Sequence, residues 1–134
     1  MTQEDKDLLL KDLSARLPYG VKVAFFNEDL TYHSEPKTLI GIECINNLNY
    51  SSLEDEDGNT TIVEFVKPYL FPMSYIDVNE KLFAEYITTL TYDSNTHSAV
   101  PTIKTFDFYN KYQIDYRGLI PLGLALDATG LNIY

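Results

Sequence analysis

The C-terminal segment of this chain constrains its fold more than any other stretch. Residues 112–126 read YQIDYRGLIPLGLAL, and the sixteen residues from 119 to 134 carry one charged side chain, that of Asp127. Gly118, Pro121 and Gly123 interrupt the segment, and both residue types destabilise the interior of a helix. Because so apolar a segment is unfavourable in water, we predict that it closes the hydrophobic core without forming a long helix.

The size and composition of the chain favour one domain without a membrane partner. A chain of 134 residues is long enough for one substantial core. No apolar run approaches the roughly 20 residues that cross a bilayer, and the acidic start MTQEDKD does not resemble a secretory signal. The one cysteine, Cys44, excludes an internal disulfide framework. We therefore expect a single domain over residues 1–134, located in the cytoplasm.

Residues 2–17 have the pattern of an N-terminal helix. Thr2 and Asp5 have the spacing of a capping box, in which the side chains and backbone N–H groups at the helix start bond reciprocally. An apolar stripe follows at four-residue spacing, formed by Leu9, Leu13 and Leu17. The helix should end before Pro18, because a residue that precedes proline is disfavoured in the α conformation.

The middle of the chain predicts a small antiparallel sheet of three to five strands, with a barrel-like sheet as an alternative. Gly41 indicates a β-bulge within its strand, and Asp57-Gly58 indicates a hairpin turn. Pro68 and Pro72 should take the chain out of the sheet, because proline cannot donate to a strand ladder. The extended segments are residues 21–26, 38–45, 46–53 and 60–66, of which the third is the weakest.

Two further helices are predicted after the sheet. Asp77 and Glu80 have capping-box spacing, and the helix should continue to residue 90. Its apolar stripe, which should be buried, consists of Leu82, Phe83, Tyr86, Ile87 and Leu90. A shorter helix is expected from residue 101 or 102 to residue 112, and the polar residues 91–100 should form a mobile loop. The sequence thus predicts an α+β fold: an N-terminal helix, a small antiparallel sheet, two further helices and an apolar C-terminal segment.

No short motif assigns a catalytic residue, a metal ligand or a cofactor. Residues 53–64 partly match a calcium loop, but Leu53 occupies the position of the first carboxylate ligand, so a hairpin turn is favoured. His33 and His97 lie in separate polar stretches, and no serine has the surroundings of an activated nucleophile. Cys44 lies in an apolar stretch, where cysteine is more often a small buried hydrophobe than a nucleophile. We therefore expect a non-enzymatic protein.

The negative charge of the chain, −10 in total, is concentrated in residues 28–64. One basic residue, Lys37, accompanies nine acidic ones there: Glu28, Asp29, Glu35, Glu43, Glu54, Asp55, Glu56, Asp57 and Glu64. Such a field repels phosphate backbones and argues against direct nucleic-acid binding. Two interpretations stay open, because the charge either maintains solubility or meets a basic protein partner. In the second, the candidate contact residues are Glu54, Asp55, Glu56 and Asp57.

Tyr116 and Arg117 form the most suggestive polar pair outside the acidic region. A carboxylate such as Asp115 or Asp107 could hold the guanidinium of Arg117 bidentately and fix the start of the apolar segment. This structural role is favoured. The alternative is that both residues form an exposed recognition surface, since tyrosine and arginine are frequent interface anchors.

Three stretches of the chain form a recognisable pattern: DLLLKDLSARLPYGVKV at residues 7–23, VKPYLFPMS at 66–74 and DYRGLIPLGLALDA at 115–128. They resemble a group of small proteins of unassigned activity from gut Bacteroidetes and their prophages or phages. The resemblance implies a phage-associated setting, and no activity follows from it. Because the three stretches coincide with positions that define the fold, the resemblance supports the structural role of Arg117.

Three classes of function follow from these observations. The first is a protein that binds another protein through its acidic region and its tyrosines. The second is an acidic decoy that occupies the nucleic-acid site of a host enzyme. The third is an enzyme with a site between the sheet and residues 91–101, which a deep pocket with converging polar side chains would favour. A homodimer is a further alternative, because a small sheet leaves an edge to cover.

Overall fold

The computed structural model describes residues 1–45 and 50–134, and it shows the predicted α+β fold. The described helices are α1 (Gln3–Arg16), α2 (Tyr75–Val78), α3 (Glu80–Thr89) and α4 (Ile103–Lys111), with short 3₁₀ helices at Leu17–Tyr19 and Val63–Phe65. The described strands are β1 (Lys22–Phe25), β2 (Lys37–Ile45), β3 (Tyr50–Asp55), β4 (Thr60–Thr61), β5 (Val66–Leu70), β6 (Thr91–Asp93), β7 (Ser98–Val100) and β8 (Leu126–Asp127). Residues 46–49 of the predicted weak strand lie outside the described residues.

Within the described residues, six strands form one open sheet in the order β4-β3-β2-β1-β5-β8. All neighbouring strands are antiparallel except β5 and β8, which run parallel. The prediction of a wholly antiparallel sheet is therefore wrong at this edge. The reason is that the C-terminal segment returns beside β5, a long-range pairing that local sequence patterns do not encode.

Helix α1 forms as predicted from its capping box and leucine stripe. The Thr2 hydroxyl accepts from the Asp5 N–H at 3.1 Å, and the Asp5 carboxylate accepts from the Thr2 N–H at 3.3 Å. Leu9 and Leu13 are fully buried. Pro18 follows within a 3₁₀ helix, so the α-helix ends where the proline requires it to end.

The predicted bulge lies at Ile40, where β2 gains one residue relative to β3. Leu39 pairs with Asp55 and Gly41 with Glu54, so Ile40 has no partner residue. The extra residue changes which positions share a face of the sheet, because side chains otherwise alternate along a strand. Leu39 and the partly buried Ile42 therefore both pack into the core, whereas Ile40 is exposed.

The prediction that the prolines end the sheet is wrong at Pro68, which lies inside β5. This strand pairs with β1 through Val23 and Pro68, and it pairs with β8 only through Tyr69 and Leu70. Pro68 therefore has no partner residue in β8. Proline is tolerated in a strand at a position where its nitrogen does not have to donate a hydrogen bond to a neighbouring strand. The predicted strand at residues 60–66 is correspondingly divided into β4, a 3₁₀ turn and the first residue of β5.

The predicted helix at residues 77–90 is interrupted at Asn79. The side chain of Asn79 accepts from the Leu82 N–H at 3.1 Å and caps α3, so Asp77 belongs to the short α2 instead of the cap. The apolar stripe is only partly buried, since Leu82 lies in the core whereas Phe83 and Ile87 are exposed. The N-cap of α3 is Asn79 and not Asp77, because the asparagine side chain supplies the same kind of acceptor as aspartate.

Residues 91–100, predicted as a mobile loop, form a β-hairpin from β6 and β7. Thr91 pairs with Val100, and Asp93 pairs with Ser98. The Asp93 carboxylate holds the turn, because it accepts from the Asn95 N–H at 3.0 Å and from the Thr96 hydroxyl at 3.1 Å. The hairpin shows no apolar periodicity because its side chains remain largely outside the core.

The apolar C-terminal segment closes the core, as predicted, and it covers both faces of the sheet. Leu119, Leu124 and Ala125 join the main core between α1 and one face. After β8, the chain reaches the opposite face, where Ala128 packs with Ala24 and Tyr69. A second core, rich in aromatic side chains, lies among α2, α3 and α4.

Candidate functional site

A buried ion-pair cluster joins α1 to the C-terminal segment. The side chains of Asp12 and Arg16 are both 0% exposed. Asp12 Oδ2 accepts from Arg16 Nε at 2.9 Å, and Asp12 Oδ1 accepts from Arg117 Nε at 3.1 Å. One carboxylate thus holds two guanidinium groups that come from distant parts of the chain. The cluster fixes the position of the C-terminal segment against α1.

The end of α4 belongs to the same cluster. Arg16 Nη1 donates to the Tyr109 carbonyl at 3.3 Å, and Nη2 donates to the Ile114 carbonyl at 2.6 Å. Carbonyl oxygens at a helix C-terminus carry partial negative charge, so they complete the surroundings of a buried cation. The Tyr116 ring lies against both arginines, with Cζ of Arg16 at 5.5 Å and Cζ of Arg117 at 4.6 Å from the ring centre.

A carboxylate binds Arg117, as predicted, but it is neither Asp115 nor Asp107. Asp115 instead accepts from the backbone N–H groups of Leu119 and Ile120, both at 2.8 Å, and so orders the turn into the apolar segment. Asp107 is exposed on α4. The carboxylate that binds Arg117 is Asp12, through Nε alone and not bidentately.

Asp12 and Arg16 are residues that the sequence analysis missed. They are four positions apart, and they lie three residues after Leu9 and Leu13, respectively. Both therefore fall within the stripe that faces the core. A pair of opposite charges at this spacing inside an apolar helix face is a signal of a buried ion pair, and it could have been read from the sequence.

The four predicted contact residues of the acidic turn have different surroundings. Asp55 is 1% exposed, and its Oδ1 accepts from the N–H groups of Asp57 and Asn59 at 2.9 and 3.0 Å. Asp55 therefore orders the hairpin turn from within. Glu54, Glu56 and Asp57 are exposed. The structure thus brings three of the four side chains to the surface and turns the fourth inward.

The strand register places acidic side chains on the outer side of the sheet. Residues directly opposite each other share a face, and Leu39 and Leu53 face the core. The alternate pairs, Gly41 with Glu54 and Glu43 with Ser52, face away from α1. We call this surface, together with the neighbouring turn, the acidic face; its exposed carboxylates are Glu43, Glu54, Glu56 and Asp57.

Little basic charge compensates the acidic face. Lys37 Nζ lies 2.8 Å from Asp57 Oδ2, and this pair raises the pKa of Lys37. Glu56 accepts from the Thr38 N–H at 3.1 Å. Ile40, exposed at the bulge, adds apolar surface beside the carboxylates. Among residues 1–45 and 50–134, no basic side chain lies within 4.0 Å of the Glu43 or Glu54 carboxylate.

A cleft of about 360 Å³ opens between α3 and the end of α4. It is lined by four aromatic side chains, Phe71, Tyr75, Tyr112 and Tyr134, and by polar side chains that include Lys81, Glu85, Lys111 and Gln113. The first turn of α3 contributes to its wall through Asn79, Lys81 and Leu82. The cleft differs from the predicted enzyme site, because residues 91–101 do not line it.

Three of the polar groups of the cleft bind one another. The Tyr112 hydroxyl donates to Glu85 Oε2, and Lys111 Nζ lies 3.6 Å from Glu85 Oε1. The Tyr112 hydroxyl and then the Glu85 carboxylate raise the pKa of Lys111. Glu85 is therefore engaged within the protein. Across the described parts of the chain, Lys81 has no carboxylate within 4.0 Å.

Gln113 lies in the lining of the cleft in an uncommon conformation. It is 2% exposed and has a φ of 58°, in the left-handed region. The residue ends α4 in a Schellman motif, in which the Ile114 N–H donates to the Tyr109 carbonyl at 2.8 Å. Its Nε2 donates to the Tyr19 carbonyl at 3.2 Å, whereas its Oε1 has no hydrogen-bond partner among the described residues.

Comparisons with known proteins add no relative to this picture. No family model, curated protein or solved structure matches the chain. None of the described helices has the length and apolar character needed to cross a membrane. Within residues 1–45 and 50–134, no group of three or more histidine, cysteine, aspartate or glutamate side chains is arranged to hold a metal ion.

Proposed function

We propose that the chain is a non-enzymatic protein that binds a basic protein partner through its acidic face. The observation that carries this proposal is the contrast between the two halves of the outer side of the sheet. The C-terminal segment covers the half formed by β1 and β5. On the half formed by β2 and β3, Glu43 and Glu54 are exposed.

The acidic face has the physical properties of a contact surface. Uncompensated carboxylates on one side of a protein attract a basic partner and raise its association rate. Ile40 supplies an apolar contact at the bulge, where burial by a partner adds affinity that charge alone does not. Because Asp55 holds the turn from within, the carboxylates of Glu54, Glu56 and Asp57 have a defined backbone beneath them.

We place Tyr116 and Arg117 outside this interface and give them a structural role. Both contact the buried cluster around Asp12, and neither side chain is fully exposed. The resemblance to small proteins of gut Bacteroidetes and their phages suggests the cytoplasm of such a host as the setting. The proposed partner is accordingly a basic host or phage protein.

A comparison of three tagged proteins in lysate of the native host tests the proposal. The first is the wild-type chain, and the second carries Glu43→Gln, Glu54→Gln, Glu56→Gln and Asp57→Asn. The third is a matched control in which four exposed carboxylates elsewhere are neutralised: Glu4→Gln, Asp7→Asn, Asp77→Asn and Asp107→Asn. Nuclease treatment removes proteins captured through nucleic acid, and mass spectrometry identifies the rest.

The proposal predicts a basic protein that the wild type and the control retain after nuclease treatment and that the acidic-face variant loses. Equal capture by all three proteins would refute a role for the acidic face. Size-exclusion chromatography of the purified chain separates a third outcome, self-association. A homodimer would have to use another surface, since like charges on two acidic faces repel each other.

The acidic decoy is a narrower form of the same proposal. Four exposed carboxylates along a strand pair and its turn could occupy a site that otherwise binds phosphates. If the captured partner is a nucleic-acid-binding protein, a DNA or RNA oligonucleotide should displace the chain in proportion to its concentration. Simultaneous binding of the oligonucleotide and the chain would exclude the decoy and leave the wider proposal standing.

A further inference from the structure

We propose that the cleft between α3 and the end of α4 binds a small planar anion. The inference is independent of the acidic face, which lies on the β2–β3 part of the sheet. The volume of the cleft, about 360 Å³, is in the range of small-molecule sites, roughly 300–1,000 Å³. Aromatic walls with a few convergent polar groups are the usual composition of such sites.

The aromatic side chains favour a planar ligand. The rings of Phe71 and Tyr75 stack on each other, with centres 4.3 Å apart and planes 15° apart. Phe71 also contacts Tyr134, with ring centres 5.9 Å apart. Flat, rigid surfaces of this kind pack well against another ring, and they bury it at low conformational cost.

The charges of the cleft favour an anion. Two lysines and one carboxylate line it, and Glu85 is already engaged by Tyr112 and Lys111. Lys81 lies in the first turn of α3, where the helix dipole adds partial positive charge. The charged side chains that line the cleft, Lys81, Lys111 and Glu85, therefore sum to +1 within a chain whose net charge is −10.

Nuclear magnetic resonance titration of the ¹⁵N-labelled chain tests the proposal with two probes. Indole-3-acetate has both the ring and the anion, whereas indole lacks the anion. We expect saturable shifts at Lys81, Leu82, Tyr112 and Gln113. Indole-3-acetate should bind about threefold to tenfold more tightly than indole, because indole lacks the charged contact.

A matched pair of variants isolates the contribution of the charge. Lys81→Gln should remove the preference for indole-3-acetate over indole, whereas Lys11→Gln, at an exposed lysine on α1, should leave it unchanged. No saturable shift at millimolar probe, shifts spread outside the cleft, or equal affinity for the two probes would overturn the proposal.

Discussion

Glu54 and Asp55 are neighbours in sequence, yet their side chains have opposite surroundings. Glu54 is exposed on the acidic face, whereas Asp55 is buried and accepts hydrogen bonds from the turn. The sequence presents four consecutive acidic residues, and nothing in that pattern alone distinguishes the inward one. The strand register does, because Asp55 lies opposite Leu39, on the core side of the sheet.

Substitution of the two residues should therefore have different effects on stability. Asp55→Ala removes the acceptor of two turn N–H groups, and we expect it to lower the free energy of unfolding by about 1–2 kcal/mol. Glu54→Ala should change it by less than about 0.5 kcal/mol, as is usual at exposed positions. Urea unfolding followed by circular dichroism measures both values, and equal values would contradict the assignment of Asp55 to the turn.

Gln113 provides a second test of a single position. Gln113→Gly relieves the left-handed backbone conformation while it removes the bond to the Tyr19 carbonyl, so the two effects should offset to within about 1 kcal/mol. Gln113→Val places a β-branched residue at positive φ and should be less stable than the glycine variant by about 2 kcal/mol. Thermal unfolding of the two proteins gives the difference, and a valine variant as stable as the glycine variant would contradict the described backbone.

At the scale of elements, α1 is attached to the rest of the chain through the Asp12 cluster. Arg16 binds Asp12 within the helix, and it binds the carbonyl groups of Tyr109 and Ile114 at the end of α4. Arg117 adds the C-terminal segment. Three separate parts of the chain thus meet at one carboxylate.

Loss of Asp12 alone should cost more than loss of the Asp12–Arg16 pair. Asp12→Leu leaves the fully buried guanidinium of Arg16 without a carboxylate, and we expect a loss of about 3 kcal/mol or more. The double variant Asp12→Leu/Arg16→Met should be more stable than Asp12→Leu, because it removes this buried unpaired charge and Arg117 is partly exposed. Arg117→Ala should cost about 1–2 kcal/mol, since its side chain is partly exposed. Chemical denaturation of the three variants checks this order, and a double variant less stable than Asp12→Leu would contradict it.

The elements that the sequence predicted correctly are those that depend on neighbouring residues. The capping box of α1, the bulge beside Gly41 and the turn at Asp57-Gly58 all involve contacts within a few positions or one strand pair. The errors concern contacts between distant residues. The Asp12–Arg117 pair joins positions 105 apart, and the parallel β8 strand requires the C-terminal segment to return beside β5.

The candidate sites also differ in how far the sequence predicts them. The sequence located the acidic region by its charge density, but the inward position of Asp55 followed only from pairing with β2. The cleft was missed because its residues come from the end of β5, α3, the end of α4 and the C-terminal residue Tyr134. No spacing in the sequence connects Lys81 with Gln113.

At the scale of the whole molecule, buried tyrosines should make the fold sensitive to alkaline pH. Burial, and then the neighbouring Tyr86, raise the pKa of Tyr109; burial also raises the pKa of Tyr69. The unfolded chain loses these protons near pH ~10 while the folded chain keeps them, so the stability is present below pH ~10 and falls above it.

The slope of this loss can be assigned to Tyr109. One such tyrosine contributes about 1.4 kcal/mol per pH unit above the pKa of the unfolded state. Urea unfolding at several pH values between pH 8 and pH 11 covers about one unit or more on either side of that pKa. Over this range, the free energy of unfolding should decline less for Tyr109→Phe than for the wild type. Identical slopes for the two proteins would contradict the raised pKa of this hydroxyl.

Two exposed features of the protein have separate proposed roles: the acidic face binds a protein partner, and the cleft binds a small anion. The acidic face lies on β2, β3 and the adjoining turn, whereas the cleft lies among helices on residues 71–134. Variants of one should therefore leave the other unaffected, because sites without shared contacts behave additively. The acidic face is the central claim.

The most direct test of that claim is the affinity of the captured partner at several salt concentrations. We expect the wild type and the control with neutralised Glu4, Asp7, Asp77 and Asp107 to bind tightly at low salt and to weaken as salt screens the charges. The variant with neutralised Glu43, Glu54, Glu56 and Asp57 should bind at least about tenfold more weakly at low salt and show little dependence on salt. Wild-type affinity and wild-type salt dependence in that variant would contradict the proposed function.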